Sequence, residues 1–318
     1  MSRPRETTRH FGCFGATVTV HVGGRSDGGI EAPLAAMLAE GRLLDLHRRL
    51  SRFDPASELS LLNADGGDVV HASRLLRRLA RAVVQAGERS GGLVDATLVG
   101  ALERAGYGAS RAGLRGLAPA ELAAAAGPPR PARAHPARAW ERIVVDDEAG
   151  TIARPPGLRI DSGGLGKGLA ADLLAERLAG HPLFAVDCGG DVRIGGRAEI
   201  ARRVLVEDPA GAGAPLHELA IVDGAVATSG IGRRSWRDGR GAAAHHLLDP
   251  ATGRPAWTGV VQATALAPTA LEAEILAKAA LLAGPARGRE LLVHGGVLVL
   301  DGGCVDVVVV ERPEARAA

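Results

Sequence analysis

The stretch that most constrains this chain is RIDSGGLGKGLAADLLAERL, residues 159–178, in which an apolar run, a carboxylate, a glycine-rich turn, a lysine and a helical repeat follow one another. Residues 158–160 read as a strand, and Asp161 and Ser162 are helix-capping types. Leu165, Leu169, Leu173, Leu174 and Leu178 then recur at helical spacing until Gly180. Glycines between strand and helix let the backbone approach a ligand closely, and a helix start presents N–H groups and a positive dipole end to an anion such as phosphate. Lys167 adds a full positive charge. The spacing is not GxxxxGK[ST], because Asp161 stands where the first glycine should be and Gly168 follows the lysine; nor is it GxGxxG. On chemistry alone the segment is either a phosphate-handling turn or an ordinary strand-to-helix connection.

A chain of 318 residues, 46% hydrophobic, can bury a substantial core in one large domain or two. Only 3% of residues are aromatic, so Leu, Val and Ala must build that core. The balance of 38 basic and 36 acidic side chains, with no basic stripe interleaved with aromatics, gives no argument for nucleic acid. Cys13, Cys188 and Cys304 are scattered without a CxxC pair, which disfavours a disulfide framework and a thiolate zinc site; they are expected to be reduced, buried small hydrophobes. There is no apolar run before Cys13 and none of membrane-spanning length elsewhere. The expectation is a cytoplasmic protein with no signal peptide, lipobox or membrane insertion.

Taken in order, residues 17–22 alternate as a half-buried strand, and residues 31–50 read as a long helix with Leu34, Met37, Leu38, Leu44 and Leu50 on its apolar face. SRFDPASELSLLNAD (51–65) reads as a capped loop, Ser73 caps a basic amphipathic helix closed by Gly91 and Gly92, and Asp95 and Thr97 open a short helix. Residues 109–139 turn to Ala, Pro, Arg and Gly and are expected to be a loop or insertion. The remainder is strand-rich: residues 143–145, 184–196 around a Gly-Gly-Asp turn, 203–207, 219–222 and 260–266, with a terminal hairpin over 297–310. Between the last two lies a helix that opens on the capping box Thr269-x-x-Glu272 and ends at Gly284-Pro285. Hairpins mixed with helices, without regular βαβ repetition, indicate an α+β fold of mixed, largely antiparallel sheets with packed helices. One domain is expected over residues 11–312, with tails at 1–10 and 313–318.

The ordered segments FGCFGAT, SRFDPASELSLLN, GGLVDAT, RIDSGGLGKGLAAD, VDCGGDVRIGG, AVATSG, HHLLDPATGRP and APTALEAEILAKAALLAG together resemble the ApbE family of Mg²⁺-dependent FAD:protein FMN transferases. The resemblance implies an ApbE-like flavin transferase fold. It also implies an enzyme that cleaves the FAD pyrophosphate, attaches FMN through a phosphoester to a threonine or serine of an acceptor flavoprotein, and releases AMP. By the resemblance, Asp161, Lys167 and the glycine turn match the FAD and metal site, with the Gly164 carbonyl matching a backbone metal ligand. Phe14 stands where the family usually has a methionine, and Phe53 matches an aromatic position at the flavin. Leu93, Val94 and Asp95 match a flavin-contacting stretch, and Leu248 a further FAD contact. His246 matches the general base, an imidazole whose ordinary pKa of about 6.5 suits proton transfer near neutrality. His245 is expected to be structural.

One pair departs from the family. The helix after the APT segment usually presents Asp and, four residues later, Thr or Ser as Mg²⁺ ligands, whereas this chain has Glu274 and Lys278. Glutamate still offers oxygen to Mg²⁺, but an ammonium cannot ligate it. The pair is either an ordinary helical Glu–Lys pair or a change in which Lys278 takes over part of the metal's role. Two alternatives to flavin transfer are an FAD pyrophosphatase giving FMN and AMP, and a catalytically weak FAD-binding protein.

Overall fold

The computed structural model describes residues 4–111, 113–211 and 213–310. An eight-stranded sheet follows chain order: β1 (Glu6–Cys13), β2 (Ala16–Gly23), β3 (Leu183–Cys188), β4 (Val192–Gly195), β5 (Gly224–Gly230), β6 (Val260–Ala267), β7 (Gly296–Leu300) and β8 (Val305–Val308). Every neighbouring pair in it is antiparallel, so the expected α+β class holds. Residues 6–10, read from the sequence as tail, are the first part of β1, because their backbone pairs with β2 from Glu6↔Gly23 onward. The expected tail at 313–318 lies outside the described residues, as do residues 1–3 and the last two of the 11–312 span.

Strand alternation gives the sheet two different faces. Phe184, Val186, Ala225, Ala227, Ala263 and Ala265 belong to the main core, whereas Ala185, Ile194 and Val226 pack on the other side against Val204, Leu219 and Ile221 of a hairpin over residues 202–221. Three helices cover the main-core face: α1 (Ala32–Leu50), α6 (Gly166–Leu178) and α7 (Ala270–Ala283). Between α1 and α6 lie α2 (Glu58–Ala64), α3 (Arg74–Arg89), α4 (Val99–Arg104) and α5 (Pro119–Ala125). All fourteen residues of α7 are buried, as a helix apolar almost all round requires. α8 (Pro285–Leu291) follows it directly.

Several sequence expectations are corrected. The face of α1 that packs inward is Ala32, Ala35, Ala36, Ala39, Leu43, Leu46 and Leu50, while Leu34, Met37, Leu38 and Leu44 are 41–55% exposed. A reading weighted to large apolar side chains misses an alanine stripe, although small residues are what let a helix lie close on a sheet. Residues 58–64 form α2, because the Ser57 hydroxyl accepts from Ser60 N (3.0 Å) and Leu59 and Leu62 are buried. The segment 109–139 contains α5, with buried Leu122. Residues 158–160 join no sheet: the Asn63 amide takes both backbone groups of Ile160, at 2.7 and 2.8 Å. Cys13 and Cys188 are buried free thiols, but Cys304 is exposed in the β7–β8 turn. No helix among the described residues is long and apolar enough to cross a membrane.

Candidate active site

The glycine turn is held from three sides. Asp161 does not cap a helix; its N–H donates to Ala96 O (2.8 Å) and its Oδ1 accepts from Gly163 N (3.0 Å), closing a side-chain turn on its own backbone. Ser162 Oγ donates to the Leu50 carbonyl at 2.6 Å, tying the turn to the end of α1. α6 then begins at Gly166, with Leu165 at its N-cap. At Gly168 a Cβ would come within 2.6 Å of the Ala270 carbonyl, so glycine is required where α6 meets α7. The two helices cap each other. Asp172 of α6 accepts from Ala270 N (2.8 Å) and Leu271 N (2.9 Å), and Glu274 of α7 accepts from Gly168 N (2.9 Å).

A cleft with two lobes surrounds this turn, and Tyr107, Asp161, Gly163 and Arg234 line both. The lobes enclose about 650 and 660 Å³ of non-atom space, open solvent included. Phe14, Arg52, Phe53 and Lys167 line the first. Two of the four phenylalanines and the only tyrosine of this aromatic-poor chain are therefore gathered in one lobe. The Arg52 guanidinium lies 4.2 Å from the Phe53 ring centroid and 4.7 Å from that of Tyr107, while its Nε meets Asp161 Oδ1 at 3.2 Å. Tyr107 stacks in turn on Trp236, with centroids 5.4 Å apart. Phe14 and Gly15, at φ 52° and 67°, make the two-residue β1–β2 turn, a left-handed conformation costly for a phenylalanine. The Phe14 carbonyl accepts from Arg234 at 3.1 Å.

Leu93, Val94, Asp95, Gly164, His246, Leu248 and Lys278 line the second lobe. Asp95 does not start a helix: its Oδ1 accepts from Thr97 N (2.8 Å) and Thr97 Oγ1 (2.6 Å), and α4 begins at Val99. The Nδ1 of His246 lies 3.2 Å from the Arg234 carbonyl, which can only accept, so Nδ1 carries the proton and Nε2 keeps its lone pair. Burial and the nearby charges of Arg234 and Lys278 push the His246 pKa well below its ordinary value, so the ring is neutral at neutral pH. His245 donates from Nε2 to Ala256 O (2.9 Å) and accepts from Leu247 N at Nδ1 (3.3 Å), a wholly structural arrangement. Burial takes its pKa down to about 4.

Every site residue expected from the sequence lines this cleft except Glu274, which is completely buried behind it. Glu274 Oε1 holds the Lys278 ammonium at 2.9 Å and Oε2 holds Gly168 N. Burial opposes its charge, but Lys278 and Lys167 outweigh burial and lower its pKa, keeping it ionised. Beside Gly164, the expected backbone metal ligand, stands Lys278: a Cβ at Gly164 would lie 3.4 Å from Lys278 Cε. A Mg²⁺ ion requires oxygens free to point at it. Here both carboxylate oxygens are engaged and an ammonium fills the remaining position, so this donor set does not fit the ion. Among the described residues no cluster of three or more His, Cys, Asp or Glu side chains is placed to hold a metal.

The sequence reading missed Arg52, Tyr107, Asp191 and Arg234. Lys167 Nζ meets Asp191 Oδ2 at 2.6 Å; burial opposes the ammonium, but Asp191 and Glu274 raise its pKa and keep it charged. Asp191 was legible only as part of a Gly-Gly-Asp turn, and Arg52 only as the neighbour of Phe53. No local pattern marks Arg234, which reaches the cleft through the fold of residues 231–247.

The geometry can be set beside known proteins. The ApbE family pattern matches residues 14–300. Two relatives named FAD:protein FMN transferase are similar to part of the chain. The protein of Treponema pallidum is 34% identical over 150 residues, 43% of this chain and 41% of that protein; the protein of Escherichia coli K12 is 30% identical over 149 residues, 45% and 42%. The matched stretch thus spans less than half of these relatives' own lengths. The crystal structure of the ApbE protein of Thermotoga maritima superposes with a TM-score of 0.77 at 24% identity, covering 95% of this chain and 97% of that one, and so has the same fold. With the pattern matched over nearly its whole length, this chain belongs to the ApbE family.

Proposed function

We propose that this chain is an FAD:protein FMN transferase, moving the FMN half of FAD to a threonine or serine hydroxyl of an FMN-binding acceptor flavoprotein and releasing AMP. The observation that carries the reading is the placing of the 161–167 turn at the junction of two lobes that share its walls. A dinucleotide with a ring system at each end and a pyrophosphate in the middle has that shape. In this reading Phe14, Phe53, Leu93, Val94, Asp95 and Leu248 contact the ends of FAD, and the turn receives its pyrophosphate.

Each group then has a task. The charges of Lys167 and Arg234 offset the phosphate charge. Asp161 fixes the turn and holds Arg52 against the aromatic wall. His246 Nε2 takes the proton of the acceptor hydroxyl as its oxygen bonds to the FMN phosphorus. The bond from that phosphorus to the bridging oxygen breaks, and AMP leaves with the electron pair. Mg²⁺, expected from the resemblance, has no step here because the residues at Gly164, Glu274 and Lys278 do not fit it.

The test is to incubate the purified protein with FAD and a candidate FMN-binding acceptor, measuring acceptor mass and free AMP. One AMP for each FMN adduct is expected. AMP without adduct would show a pyrophosphatase, and neither product across several acceptors would leave only FAD binding.

A further inference from the structure

We propose that the Lys278 ammonium is the cation that supports pyrophosphate cleavage at this site, so that FAD is split without a divalent metal. The inference rests on the flavin-transfer reading and concerns how its charge is handled. Lys278 is part of the second lobe's wall, whereas its partner Glu274 is 0% exposed behind it, so the pair turns its positive end to the cleft and its negative end to the protein. Glu274 is fixed in that orientation because its other oxygen caps α6 through Gly168 N. The aliphatic end of Lys278 lies along Gly164, which sets the ammonium beside the turn that receives the phosphates. Arg52, Arg111, Lys167, Arg234 and Lys278 line the two lobes against Asp95 and Asp161, with Asp191 and Glu274 paired behind them, so basic groups outnumber carboxylates by one.

An ammonium supplies a point charge and three N–H donors, one of them engaged by Glu274. The other two are available to phosphate oxygens as the bond between the FMN phosphorus and the bridging oxygen breaks. The proton count of Lys278 does not change in the step: the hydroxyl proton goes to His246, and AMP departs with the bonding electrons.

The experiment measures AMP release from FAD in the presence of acceptor, and FAD affinity by quenching of flavin fluorescence, each in EDTA and in excess Mg²⁺. For the unaltered protein both quantities are expected to agree within twofold between EDTA and Mg²⁺. Lys278→Ala is expected to lose at least tenfold in both quantities, and Lys278→Thr to recover AMP release only when Mg²⁺ is added. Because Lys278→Ala leaves a buried carboxylate unpaired and risks misfolding, the double variant Glu274→Gln with Lys278→Met provides a neutral pair that still accepts from Gly168 N. It is expected to fold and to show the same losses. AMP release by the unaltered protein that vanishes in EDTA and returns with Mg²⁺ would overturn the inference while leaving flavin transfer intact. If no AMP forms under any condition, flavin transfer fails, and the affinities still decide the charge role: tenfold weaker FAD binding by the double variant supports it, and unchanged binding overturns it.

Discussion

The two lobes of the cleft are held by different kinds of charge pair. In the first, Arg52–Asp161 and Lys167–Asp191 join separate pieces of the fold: the end of α1 to the glycine turn, and the start of α6 to the β3–β4 turn. In the second, Lys278 and Glu274 lie four residues apart on one helix, and Glu274 reaches across only to cap α6. Pairs that bridge elements fix geometry. A pair within one helix changes the charge presented to a ligand and leaves the frame largely to the packing around it. The difference separates pairs whose loss should unlock two joined elements from a pair whose loss should undo activity alone once its buried carboxylate is neutralised with it.

Lys167→Ala is the largest expected loss. It strands Asp191, which is 1% exposed, and breaking a buried pair in this way costs about 3–5 kcal/mol. Urea unfolding should show that drop together with loss of AMP release; unchanged stability would mean that the first lobe is not locked by its pair. His246→Ala, in the second lobe, should lower AMP release by about 10²–10⁴-fold with stability nearly unchanged. The same residue sets a pH expectation. Since its pKa is lowered, the base form persists as pH falls past 6.5, and activity is lost only below that value. An acid limb of kcat/KM at or above 6.5 would place the base elsewhere.

Smaller effects test α1 and the β1–β2 turn. Leu43→Ala, on the inner stripe of α1, should cost about 2–5 kcal/mol, whereas Leu38→Ala on the exposed stripe should stay within about 0.5 kcal/mol. Similar values for the two would reverse the assigned face of the helix. Phe14→Gly should relieve the left-handed backbone and stabilise the protein by about 1 kcal/mol while weakening FAD binding. A stability loss there would show that the ring contact with His47, at 5.2 Å, outweighs the strain.

How much of this was readable in the chain depends on how local each signal is. The glycine turn, its carboxylate, its lysine and the Thr269 cap announce themselves within a few residues, and the structure shows Asp161 closing the turn, Lys167 paired with Asp191 and Thr269 capping α7. The hairpins and α7 follow from alternation and capping in the same way. The inner face of α1 was not legible, because its alanines carry little hydrophobic weight in sequence and acquire meaning only against Val18, Val20 and Val22 of β2. Arg234 and Asp191 were hidden for a different reason: contacts far along the chain bring Arg234 to the cleft beside Phe14 and Asp191 to Lys167. Glu274 could be seen as a helical partner of Lys278, but its second bond, to Gly168, exists only once α6 and α7 meet.

The central claim is that FAD is gripped at the 161–167 turn, with one half in each lobe. A crystal structure of the protein with FAD tests it directly. The two phosphates should lie over the turn between Lys167 and Lys278, with an end of the dinucleotide in each lobe and the His246 Nε2 facing the FMN phosphate. FAD found instead on the opposite face of the sheet, in the groove beside Thr228, Gln262 and Thr264, would contradict the account.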